Sequence, residues 1–145
     1  AIEESCEESI RAKQFELTAE SDFKQALYLM CDRALGIIYL PEAIKLDCLM
    51  FELAAEQSPL AQQFFDASHT RMCNVWCHFF EQAIAFKFIL ADQPIKQTEL
   101  MLSLLLGIRH QQVLLNLAPV PTAAEIDQMI QQSIEIFLLK YQPKN

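Results

Sequence analysis

Between Pro94 and Tyr141 the chain sets large apolar residues so close together that only helices packed on more than one side can hold them. Leu100, Met101, Leu102, Leu104, Leu105, Leu106, Ile108, Val113, Leu114, Leu115 and Leu117 are too dense for one stripe, so the helix they predict is apolar around most of its circumference. Ala118-Pro-Val-Pro121 ends it, because proline lacks an amide donor and pushes its predecessor out of the helical region. Thr122 and Glu125, three apart, can then satisfy each other's free amides as a capping box for a second helix. Its stripe is Ile126, Met129, Ile130, Ser133, Ile134, Phe137, Leu138 and Tyr141, and Ile136 and Leu139 widen the apolar surface beyond it. Two such helices carry more apolar face than a small domain covers by itself, which predicts that part of it meets a second subunit.

Only two glycines in 145 residues, with 52% hydrophobic residues, point to one all-α domain rather than to a disordered or β-rich chain. A net charge of -8 disfavours contact of these residues with nucleic acid or an anionic membrane. No apolar run approaches the ~20 residues of a membrane-spanning helix. Five cysteines, odd in number and irregularly placed, fit reduced thiols and a cytoplasmic protein better than a disulfide framework. Ala1 leads straight into an acidic helical stretch with no start signal, so a further segment is expected upstream.

Ile2, Cys6 and Ile10 lie at i, i+4, i+8 on a charged segment, so residues 1–13 read as a thin connecting helix. Ser21 is the expected N-cap of a helix through Phe23, Leu27, Met30, Cys31, Ala34, Ile37 and Ile38. Pro41 suits the first turn of the next helix, which runs to about Gln57, and Ser58-Pro59 repeats that start. No glycine or proline interrupts Leu60 to Leu90, which predicts one helix of about 30 residues bearing Trp76, Phe79, Phe80 and other rings.

Phe51-Glu-Leu-Ala-Ala-Glu-Gln-Ser-Pro-Leu60, the helix break before that long helix, and the closing Ile136-Phe-Leu-Leu-Lys-Tyr141 resemble the C-terminal regulatory domain of TetR-family transcriptional repressors. The resemblance covers essentially the whole chain, 1–145. It implies an antiparallel all-α bundle of about six helices whose last two form a four-helix homodimer interface. It also implies that DNA is reached only through an N-terminal helix-turn-helix that these residues lack. The function it implies is ligand sensing: a small effector in the interior favours one packing, shifts the connecting helix and changes the spacing of two DNA-reading heads.

Aromatic content makes an apolar or aromatic effector the expected one, with Tyr28, Cys31, Phe51, Met72, Trp76, Phe79, Phe80, Leu104 and Ile108 as candidate pocket residues. Leu102, Leu106, Val113 and Leu117, with Ile126, Ile130 and Phe137, are the candidate dimer seam. Arg109 and His110 interrupt an apolar helix and read as solvent-facing or snorkelling side chains, with a ligand or seam role as the sharper alternative. Gly107 reads as a point of close helix approach. His69, Cys73 and Cys77 share one helix face but span about 12 Å of rise, too far for one zinc ion, so they read as bystander thiols. No metal, cofactor or catalytic constellation is expected: Glu-x-x-His pairs, a glycine-rich phosphate loop and a Gly-x-Ser-x-Gly elbow are all missing from the sequence. The rival to a sensor is a helical dimerisation or adaptor module without a ligand.

Overall fold

Three of the five helices among the described residues begin on proline, where the missing amide costs nothing because the first turn has no intrahelical acceptor for it. In the computed structural model, which describes residues 16–144, these are α2 (Pro41–Ala55), α3 (Pro59–Ala85) and α4 (Pro94–Leu114). They stand between α1 (Phe23–Ile38) and α5 (Ala123–Tyr141). No strand occurs among the described residues, and the connecting helix expected over 1–13 lies outside them. The capping box of α5 forms as the sequence implies: Thr122 Oγ1 accepts from the Glu125 amide at 3.2 Å, and Glu125 Oε1 accepts from the Thr122 amide at 3.1 Å. At α1 the cap is Asp22, whose carboxylate accepts from the Gln25 amide at 3.1 Å. Ser21, the expected cap, turns back and accepts from the Thr18 amide at 2.9 Å.

The helix ends depart from expectation because the chain stops three helices without glycine. Gln57, Lys87 and Asn116 take left-handed backbone with φ of 58°, 63° and 60°. Each is stabilised by the paired bonds of a Schellman motif; at Lys87 these run from the Lys87 amide to Ile84 O at 3.0 Å and from the Phe88 amide to Ala83 O at 2.9 Å. So α3 ends at Ala85 after 27 residues instead of reaching Leu90. Residues 86–93 become a connection, fastened to the end of α5 where the Leu90 amide donates to Tyr141 O at 2.8 Å. The Tyr141 hydroxyl donates to Asp92 Oδ2 at 2.7 Å, closing the same tie.

Rings from α3 and α5 form the centre of the core. Phe80 stacks on Phe137 with centroids 5.2 Å apart, Trp76 lies 5.7 Å from Phe80, and Phe79 meets Phe80 edge-on at 5.6 Å. Leu27, Cys31 and Leu35 of α1, Met101 and Leu105 of α4, and Ile130 of α5 close around them. In contrast, α2 buries no residue at all and lies on the outside, packed on α3.

Gly107 divides α4. Its φ of 49° and ψ of -151° fall far outside the helical region, in a zone open essentially to glycine alone. A Cβ built there meets nothing within 4 Å, so the close-approach reading of Gly107 is replaced by a backbone one: the residue breaks the helix. The break changes which side of α4 faces inward. Met101, Leu105 and Val113 are buried, Leu102, Leu104 and Leu106 are half-buried against the core, and Ile108 is 75% exposed.

Candidate functional site

The nine candidate pocket residues separate into three groups. Cys31, Trp76, Phe79 and Phe80 come together in the buried core, with Met72 and Leu104 packed on its margin. Tyr28 is half-buried, and its hydroxyl points to α5, donating to Asp127 Oδ1 at 2.6 Å; that bond, with desolvation and the carboxylate charge, pushes the phenol up to about 12. Phe51 and Ile108 are at the surface, 61% and 75% exposed. For Phe51 the reason is the peripheral placing of α2, and for Ile108 it is the break at Gly107 just before it.

The seam candidates separate as well. Ile130 and Phe137 are fully covered within one protomer because the α5 stripe faces the α3 rings, and these two have no surface to offer a partner; Val113 of α4 is nearly covered. Leu102, Leu106 and Ile126 are half-buried, and Leu117 is 74% exposed. The large apolar groups that stay open on this helix pair are Ile108, Leu115, Leu117 and Val120 along the second half of α4 and its turn, with Ile136 and Leu139 on α5. The last two are the pair the sequence placed outside the stripe.

Arg109 has a definite task within the fold. Its guanidinium forks onto Glu125, Nη1 to Oε2 at 2.8 Å and Nη2 to Oε1 at 3.2 Å, while Nε donates to Pro119 O at 3.0 Å. One side chain thus fixes the α4–α5 turn against the start of α5. The fork and the capping bonds from Thr122 hold the Glu125 carboxyl down at about 2, against 4.5 for an ordinary glutamate. A carboxyl lowered on folding contributes stability that is fully present above its unfolded value and is lost as pH falls through its folded one. Acid unfolding of the chain between pH 4.5 and about 2 is therefore expected to be less steep in Glu125→Gln, with the two stability curves converging at the acid end. Melting temperature measured across that range checks it; parallel curves would count against the fork as a folding contact.

Beside this fork is a polar cluster of which the sequence singled out His110 alone. Tyr39, the C-cap of α1, is buried, and its hydroxyl has no hydrogen-bond partner among the described residues. His110 of α4 sets its ring edge-on to Tyr39 with centroids 5.8 Å apart. The imidazole Nε2 is also buried and without a hydrogen-bond partner among the described residues; Asp47 Oδ2 of α2 faces it at 3.7 Å, within ion-pair range but beyond hydrogen-bond length. Desolvation raises the Tyr39 phenol above its ordinary value, and the Arg109 charge opposes that in part. Periodicity held one clue: Tyr39 continues the stripe of Leu27, Cys31 and Leu35 at four-residue steps.

On α3, His69 Nε2 lies 3.3 Å from Cys73 Sγ, and Cys77 Sγ meets the buried Thr98 Oγ1 at 3.7 Å. Burial, followed by the neighbouring Cys77 and Glu99, raises the Cys73 thiol, so it is protonated near neutral pH. Among the described residues no group of three metal-ligating side chains comes together.

Residues 25–143 match the sequence profile of the C-terminal domain of AefR-like transcriptional repressors, a TetR-type regulatory domain. The chain belongs to this family. TetR-family regulators act as dimers that bind DNA and small-molecule effectors, and they are generally not enzymes. Two solved structures share the TetR fold seen here. One is a protein of Mesorhizobium loti MAFF303099 described as a TetR-family transcriptional regulator, with a TM-score of 0.81 and 17% identity over 98% of this chain and 68% of that one. The other is the flavonoid-responsive regulator FrrA, with a TM-score of 0.71 and 21% identity over 98% of this chain and 74% of that one. Among curated proteins none matches. In this TetR-type domain no described helix is long and apolar enough to cross a membrane.

Proposed function

We propose that this chain is the effector-sensing and dimerisation domain of a cytoplasmic TetR-type repressor. The observation that carries the dimer is the set of large side chains left open along α4, its turn and α5: Ile108, Leu115, Leu117 and Leu139, all between 61% and 80% exposed. Large apolar side chains left in water on a helix pair are a usual mark of a protein contact. Two chains would share this surface, each giving the second half of α4, the turn and the outer side of α5.

Sensing is supported by how α3 is built. Its inner face supplies Trp76, Phe79 and Phe80, an aromatic wall suited to an apolar or aromatic effector. FrrA responds to flavonoids, which are themselves aromatic. Its outer face holds the start of the described chain: Gln82 Nε2 donates to Glu16 Oε2 at 2.7 Å, and the Leu17 amide donates to Gln82 Oε1 at 3.1 Å. A molecule that displaces the wall would therefore move the segment leading to the N-terminus. Differential affinity for two packings is all that such a switch requires.

Sedimentation equilibrium tests the reading. The 145-residue chain is expected at twice its 16.7 kDa, and Leu117→Asp combined with Leu139→Asp is expected at 16.7 kDa with its helical content unchanged. A wild-type monomer at micromolar concentration would refute the shared surface.

A further inference from the structure

Tyr39 and His110 present a physical problem. A buried polar atom without a partner loses its hydration and gains nothing in exchange, so native proteins keep few of them. Here two occur on adjoining rings contributed by different helices, α1 and α4, with the Asp47 carboxylate of α2 facing the second across a 3.7 Å gap. Both rings belong to well-fixed backbone, since the Tyr39 amide donates to Leu35 O at 3.0 Å and His110 follows the break at Gly107. The unpartnered atoms are held in place, which is the condition for a recognition site.

We propose that Tyr39, His110 and Asp47 form a hydroxyl-recognition site at the junction of α1, α2 and α4, which takes a neutral phenolic or alcoholic group of the effector. This deepens the sensor reading and rests on it. The class follows from the donors and acceptors present. A phenol O–H can donate or accept, a neutral imidazole has one of each, and a carboxylate only accepts. An incoming hydroxyl accepts from Tyr39 and donates to the His110 imidazole, leaving neither atom unsatisfied. An incoming carboxylate can only accept and would be set beside Asp47, while the cation at hand, Arg109, already spends its fork on Glu125 and Pro119. A hydrocarbon satisfies nothing. Sites built to bond a hydroxyl reject the analogue lacking it more strongly than apolar pockets reject an extra methylene.

Three bicyclic probes separate these cases: 2-naphthol, naphthalene and 2-naphthoate, titrated into the 145-residue chain by ligand-observed NMR. The naphthol is expected to bind at least ~10-fold more tightly than naphthalene, with the naphthoate weakest, and Tyr39→Phe to bring the naphthol-to-naphthalene ratio close to one. Without any probe, Tyr39→Phe is expected to melt at the wild-type temperature or roughly 1–4 °C above it, because it removes a buried hydroxyl that had no partner. Equal binding of naphthol and naphthalene overturns the proposal while leaving the sensor reading intact. A preference that survives Tyr39→Phe overturns it in the same way, as does a lower melting temperature in the unliganded variant. Binding of none of the three probes overturns this site and the aromatic-effector reading together.

Discussion

Phe137→Ala is expected to destabilise the chain by about 3–5 kcal/mol, the range for emptying a buried aromatic site whose surroundings collapse only in part. Phe137 is fully buried, stacked on Phe80 at 5.2 Å with an interplanar angle of 20°, and its ring lies 4.9 Å from Tyr141. It is thus the contact through which α5 holds α3, and the Tyr141 tie to the α3–α4 connection sits beside it. The melting temperature should fall by roughly 6–20 °C in consequence. Phe51→Ala is the matched control: the same atoms are removed from a ring 61% exposed, and the change should stay within about 0.5 kcal/mol. Urea unfolding of both variants at one protein concentration decides the matter. Equal effects would mean that the α3 and α5 rings are not the centre of the core.

The parts of this fold that could be read from the residues are those in which one local rule acts alone. Pro41, Pro59 and Pro94 mark helix starts because proline fits nowhere else in a helix, and Thr122 with Glu125 marks a fourth because the two side chains complete each other's bonds. Helix stops were harder. Gln57, Lys87 and Asn116 adopt left-handed backbone that costs an L-residue roughly 1–2 kcal/mol, offset by bonds to carbonyls three and five residues back. Nothing in the identity of a lysine announces that trade, so α3 looked longer than it is.

Site residues obeyed the same division. Trp76, Phe79 and Phe80 were legible as inward-facing rings because α3 is regular and its rings keep helical spacing. Ile108 and Val113 exchanged sides because a helix carried through Gly107 at constant phase puts each on the wrong face. Tyr39 and Asp47 went unnoticed because their interest comes from His110, which is distant in the chain and adjacent only once α4 packs against α1 and α2.

The two glycines should respond to alanine with opposite signs. Gly36 lies inside α1 on ordinary helical backbone, exposed, with nothing within 4 Å of an added Cβ. Replacing it by alanine removes the entropic disadvantage of glycine in a helix and should stabilise the chain by about 0.5–1 kcal/mol. Gly107 has equally open surroundings, but its φ of 49° with ψ of -151° is a conformation an alanine enters only with strain. Gly107→Ala should therefore cost about 1–3 kcal/mol, with the whole penalty arising in the backbone, since there is no neighbour to clash with. The sign carries the information. Were α4 a continuous helix through residue 107, this substitution would stabilise by about 1 kcal/mol, as at Gly36. A stabilising Gly107→Ala would accordingly remove the break, and with it the outward placing of Ile108 and the fixed position of His110.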